Sequence, residues 1–191
     1  MAVSALLNYS DTNRSYHNLD HIARMLRDLN AFFDRGTFNG YWAIVYATWY
    51  HDCIYFPGAT DNEFRSALAA GEELSHLGKD MVREVQRLIM VTKDHLVSPM
   101  DSEAAKIISD LDLAGLSDPT NIYFETSQKV REEFCGFDDQ MWFRGRKAFL
   151  ESYLSREHLY HTEVGRKYWE EKARSNMQKE LDYVTRQIVD G

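Results

Sequence analysis

An all-α fold is what this sequence predicts, on three observations. Only three prolines occur, at positions 57, 99 and 119, so long helices can run unbroken. Apolar residues recur three and four apart through one segment after another. No stretch alternates apolar and polar residues over strand length, and no Asn-Gly or Asp-Gly pair sits between two alternating runs.

The elements follow in order. Residues 18–34 carry Leu19, Ile22, Met25, Leu26, Leu29 and Phe33, which is helical spacing. Residues 41–55 predict an aromatic helix buried on most sides, ended by Pro57-Gly58. Residues 61–77 place Phe64, Ala67, Leu68, Ala70 and Leu74 on one side, with Gly78 as the stop. Residues 80–93 repeat the pattern with Val82, Val85, Leu88 and Ile89. Residues 101–113 give a short helix through Ala104, Ile107, Ile108 and Leu111. Pro119 opens another to about 134, and two more are expected at 138–155 and 163–189. With no repeat, low-complexity tract or linker, the expectation is a single-domain helical bundle of about eight helices over residues 1–191.

Composition narrows the function classes. Hydrophobic residues make up 44% of the 191, enough for a packed core and against a disordered chain. A net charge of −8 argues against an extended nucleic-acid surface, though a local basic pocket for one phosphate is compatible with it. The apolar runs are short and broken by charges, so no membrane span is expected. The opening MAVSALLNYSD lacks the basic start of a signal peptide, and Cys53 and Cys135 lack metal-type spacing, so reduced thiols in a cytoplasmic protein are expected. Cys53 reads as a packing residue. The polar C-terminal helix and the aromatics near 137–143 suit either a homodimer face or packing within the chain.

The chemistry concentrates in histidine and aspartate. His51 and Asp52 sit side by side in WYHDCIY, where a lone buried carboxylate costs several kcal/mol. Taken alone, the pair reads as a satisfied buried pair or a helix C-terminal cap in preference to a pair of metal ligands. His17 and His21 are four apart and would share a helical face if both are helical, but Asn18 stands where the zinc-protease pattern needs Glu. Asp110 and Asp112 lie within IISDLDLAGL, and His95 closes TKDH. Together, His21, His51-Asp52 and Asp112 put two imidazoles and two carboxylates on three helices of one bundle. That donor set suits a divalent ion such as Mn²⁺, Fe²⁺, Ni²⁺ or Mg²⁺ with positions left open.

These residues resemble the HD superfamily of metal-dependent phosphohydrolases, marked by a His, a vicinal His-Asp and a distant Asp. Within it the chain is similar to a small bacterial subfamily of predicted HD phosphohydrolases. The stretches RSYHNLDHI, WYHDCIYFPGATDNEFRSA, VTKDH and DLDLAGL carry the likeness over positions 14–116, and VREEF and FLESYLSREHLYHT share its tone. The resemblance implies an HD-domain-like fold with one divalent metal (Mn, Fe, Ni, Co or Mg), or two as the alternative. His21, His51, Asp52 and Asp112 are the implied ligands, with His17 and Asp110 as rivals. Asp52 or Glu63 would handle the proton of a metal-activated water. For Glu63 the competing account is a capping box, with Thr60 as the N-cap. Arg14, His17 or His95 would meet the phosphate of a small ester, such as a nucleotide. A di-iron oxygenase recruiting His76 and His95, and a non-catalytic module with a structural metal, are the other function classes.

Overall fold

The computed structural model describes residues 7–36 and 40–189, and all their regular structure is helical. None of these helices is long and apolar enough to cross a membrane. Contacts within the chain gather into two compact units, Met1–Asp112 and Leu113–Gly191, a division that no linker in the sequence marks.

In the first unit, α1 spans Leu19–Phe32, α2 Tyr41–Tyr50, α3 Asn62–Glu73, α4 Lys79–Val91 and α5 Glu103–Leu113, the last running one residue past the division. Helix α1 starts where Asn18 accepts the Asp20 N–H on its side chain, satisfying a donor that a helix start leaves open. It buries Ile22, Met25 and Leu29 at the predicted spacing, each worth about 1.5–3 kcal/mol relative to exposure. Helix α2 is apolar nearly all round and buries Ala43, Ile44 and Ala47, packing against α1, α3 and α4. Val85, Leu88 and Ile89 of α4 and Ile107, Ile108 and Leu111 of α5 add to this unit's buried apolar set.

Two expectations for this unit are corrected. Helix α2 ends at Tyr50 rather than near residue 55, so His51 is its C-cap and Asp52 lies in the turn beyond. The cause is competition for the backbone by distant side chains. The Asp52 N–H donates to the Tyr9 hydroxyl at 3.2 Å, and the Ile54 N–H donates to Ser66 Oγ at 3.0 Å. Asn62 holds both backbone groups of Phe56 at 3.0 Å. These bonds take up the groups that would have continued the helix, well before Pro57-Gly58. The capping box does not form either, because Asp61 rather than Thr60 is the N-cap of α3 and no side chain caps it. The turn after Glu73 is a separate 3₁₀ segment, Ser75–Leu77, and Gly78 follows it at φ +90°, where a Cβ would be strained.

The second unit holds a 3₁₀ turn Ala114–Ser117, then α6 (Thr120–Glu133), α7 (Asp139–Leu154), α8 (Glu163–Tyr168) and α9 (Glu170–Val189). Asp138 caps α7 by accepting the Met141 N–H at 2.7 Å. The predicted single helix over 163–189 breaks at Trp169. Thr162 caps α8 on the Gly165 N–H at 2.9 Å, and Glu170 turns its carboxylate back to accept the N–H groups of Leu159 and Tyr160. Trp169 packs edge-on against Tyr160, which fixes the bend. The aromatics near 137–143 pack within the chain: Phe134 lies 5.4 Å from Phe137 and 5.3 Å from Trp142 between ring centres.

At the centre of this unit Glu180 of α9 takes a two-pronged bond from Arg146 of α7, Nε at 2.9 Å and Nη2 at 3.0 Å. The hydroxyls of Tyr123 and Ser127 on α6 donate to the same carboxylate. Burial pushes the Glu180 carboxyl up, but the Arg146 charge and these four bonds outweigh it and hold it low.

Candidate metal centre

Helix α1 carries His21, the end of α2 carries His51, and α5 carries Asp112. One donor atom from each lies within 4.8 Å of the other two. His21 Nε2 is 3.0 Å from Asp112 Oδ1 and 3.3 Å from His51 Nε2, and His51 Nε2 is 3.5 Å from Asp112 Oδ1. Asp52 Oδ2 lies 3.1 Å from His51 Nε2, at the edge of the cluster and not within the group of donors that share one centre. His21 and His51 are buried, at 4% and 0% exposure, so the imidazoles lie out of bulk water, while the Asp112 side chain is partly exposed.

Helix geometry explains who faces inward. Asp110 and Asp112 are two residues apart, so they point about 200° away from each other around α5. Asp112 faces the histidines, and Asp110 is fully buried outside this cluster. His21 likewise stands inside it, while His17 stacks on Tyr55 at 4.0 Å and reaches Asp52 Oδ2 only at 4.0 Å. His76 is exposed on the 3₁₀ turn, its Nδ1 bonded to the Glu73 carbonyl at 3.2 Å.

The charges are strongly interdependent. Burial alone would lower the His51 imidazole, but the Asp52 and Asp112 charges overcome it and raise it well above the ordinary value. Burial depresses His21, and Asp112 offsets only part of this. Burial would raise Asp112, yet the charge of His51 and the bonds from His21 and His51 hold it well below the usual carboxylate range. Asp52 behaves alike: burial is outweighed by His51, and its carboxyl falls to about 2.

Whether this donor set fits a metal is a question of spacing. Donors at about 2.1 Å from one ion stand about 3.0 Å apart at octahedral angles and about 3.4 Å apart at tetrahedral ones. The triangle of His21, His51 and Asp112 has sides of 3.0, 3.3 and 3.5 Å, so the spacing fits. The tautomer of His51 fits as well. Its Nδ1 donates to the Thr48 carbonyl at 3.0 Å, leaving the Nε2 lone pair for the cluster when the ring is neutral. His21 Nδ1 is buried without a hydrogen-bond partner, so that ring is oriented only from its Nε2 side.

Other expected site residues take different places. Arg14 was expected to meet a substrate phosphate, but its guanidinium is engaged by main-chain carbonyls. Nη1 donates to Asp52 at 2.6 Å and His17 at 3.3 Å, and Nη2 donates to Cys53 at 3.2 Å. Arg14 therefore fastens the turn that carries the His-Asp pair. Glu63 opens α3 within electrostatic range of the cluster. Burial raises its carboxyl first, the Asp52 and Asp112 charges add to that, and Lys93 opposes. His95 is buried, with Nε2 3.6 Å from Asp112 Oδ2. The Cys53 thiol is buried and pushed up by that burial, as a packing residue should be.

Sequence reasoning missed Tyr9, Thr48, Tyr55, Ser109 and Lys93. Thr48 and Ser109 had a signal, since each stands three residues before a cluster residue and so shares its helical face. Tyr9 had none. Comparison of the chain with family models, with curated proteins and with solved structures finds no match.

Proposed function

We propose that this chain is a metal-dependent phosphohydrolase of the HD type, acting on a small phosphate ester such as a nucleotide. The observation that carries the proposal is the triangle of His21, His51 and Asp112 at metal-donor spacing, its imidazoles buried and its carboxylate partly exposed, with Asp52 on its edge. These four residues would hold one divalent ion. When bound, such an ion supplies Lewis-acid activation of water and charge stabilisation at a phosphoryl oxygen.

The chain's own groups supply the rest. Glu63, raised by burial beside two carboxylates, is the group suited to accept and return a proton at its carboxylate oxygen. His17, half-buried against Tyr55, presents an imidazole at the edge of the cluster. Lys93 is exposed and its charge acts on Glu63, which makes it a further source of positive charge near that carboxylate. A cytoplasmic location and a free phosphorylated substrate belong to the same proposal.

The test is a purified chain assayed for Mn²⁺, Fe²⁺, Ni²⁺, Co²⁺ and Mg²⁺ uptake and for turnover of phosphate esters. His51→Ala and Asp52→Ala variants that remain folded should lose both. Retention of metal and turnover in both variants would sink the proposal. Bound metal with a blank ester screen would favour a structural metal instead.

A further inference from the structure

The geometry points to His95 and Ser109 as positioning residues that aim the Asp112 carboxylate, rather than as substrate contacts or ligands of a second ion. The inference rests on the metal-centre proposal above and concerns how one of its ligands is held.

Among the described residues, His95 is the only non-glycine with positive φ, at 54°. A side chain in this left-handed conformation is disfavoured, and such strain persists only where the surroundings impose it. The imposition is visible on both sides. Helix α4 ends at Val91, and the His95 N–H returns to the Val91 carbonyl at 3.0 Å, which closes a tight turn and swings the imidazole inward. There the ring is buried, at 6% exposure, between two groups of α5. Nδ1 meets Ser109 Oγ at 3.2 Å, and Nε2 faces Asp112 Oδ2 at 3.6 Å.

The hydrogen bond between Nδ1 and Ser109 Oγ fixes the plane of the ring, and Nε2 then faces Oδ2 at 3.6 Å, beyond hydrogen-bond reach but close enough for its dipole to act on that oxygen. Ser109 and Asp112 are three apart on α5, so one helical face presents both groups to the ring. With Oδ2 turned toward His95, Oδ1 is the oxygen left facing His21 and His51, at 3.0 and 3.5 Å. His95 thus stands on the Oδ2 side of the carboxylate, opposite the oxygen that enters the triangle. His76, which a second ion would recruit alongside His95, instead bonds the Glu73 carbonyl on the surface.

Glycine separates strain from function at this position, because it adopts positive φ without cost. Mn²⁺ titration by calorimetry and thermal melting are measured on the wild-type chain and on His95→Gly, His95→Gln and Ser109→Ala. His95→Gly should melt no lower than wild type yet bind Mn²⁺ about tenfold more weakly, the low end for loss of a group that orients a ligand. His95→Gln, which restores an N–H donor at similar reach, should recover most of that loss. Ser109→Ala should weaken binding in the same direction, and adding it to His95→Gly should cost nothing further. Unchanged affinity in His95→Gly overturns the inference. Two ions per wild-type chain falling to one in His95→Gly makes His95 a ligand and overturns it as well. A wild-type chain that takes up no Mn²⁺ overturns the metal centre itself.

Discussion

Each unit of this protein draws a carboxylate into a cluster of side-chain donors, Glu180 fully buried and Asp112 partly exposed, and the two are satisfied in opposite ways. Glu180 receives bonds from Arg146, Tyr123 and Ser127, groups whose protons stay on near neutral pH. Asp112 faces His21 and His51, two imidazoles that can each lose the proton they share with it, and His95 stands 3.6 Å from its other oxygen. A carboxylate ringed by permanent donors is a closed structural pair. One ringed by titratable donors can exchange its protons for a cation. Burial alone therefore does not separate a stabilising ion pair from a functional one; the identity of the donors does.

The largest expected effect breaks the structural side of that contrast. Arg146→Met leaves the Glu180 charge buried without its partner and should cost about 3–5 kcal/mol, read as a lower urea midpoint. Arg146→Met with Glu180→Leu should recover most of that loss. A single variant that unfolds at the wild-type midpoint would show that Glu180 is not the closed pair described.

On the other side, Asp112→Asn removes a charged donor from the triangle. Mn²⁺ affinity should fall more than about 100-fold, beyond what loss of an orienting group produces. Its urea midpoint without added metal should move less than that of Arg146→Met. Equal destabilisation by the two substitutions would erase the distinction between the units.

Arg14→Ala tests whether the His51-Asp52 turn depends on its fastening. Loss of bonds to the Asp52, Cys53 and His17 carbonyls should cost about 1–3 kcal/mol and weaken metal binding, by calorimetry. Stability loss without any change in metal affinity would confine Arg14 to the fold.

The smallest effect is a pH dependence. Glu180 titrates in the folded chain below its ordinary value of 4.5, so its stabilisation is fully present above that pH. It is lost as the pH falls through the lower folded-state value. Glu180→Gln should therefore show a flatter fall of urea midpoint on acidification below 4.5 than wild type; parallel curves would mean that another carboxylate governs acid unfolding.

Much of the fold was legible in the sequence. The helix from Leu19 was written in the spacing of Ile22, Met25 and Leu29, and those from Lys79 and Glu103 were equally plain. So were the residue types of the cluster and the placing of His21, His51 and Asp112 on separate segments. These features depend on neighbours within a turn or two, which periodicity records. The sequence left Asp110 and Asp112 as alternatives, and only the packed orientation of α5 sets Asp112 against the histidines.

What tertiary structure alone decided depends on partners far along the chain. Helix α2 stops at Tyr50 because Tyr9, Arg14 and Ser66 claim the backbone that follows it. Arg14 changed from a candidate phosphate contact to a clasp for the same reason. His95 was visible as a helix-end residue, but its left-handed turn and its approach to Asp112 were not. The break at Trp169 required Glu170 to find the backbone of Leu159 and Tyr160. A side chain's choice between solvent, its own helix and a distant backbone group is set by which groups the folded chain brings within hydrogen-bonding reach. Local pattern carries no record of that choice.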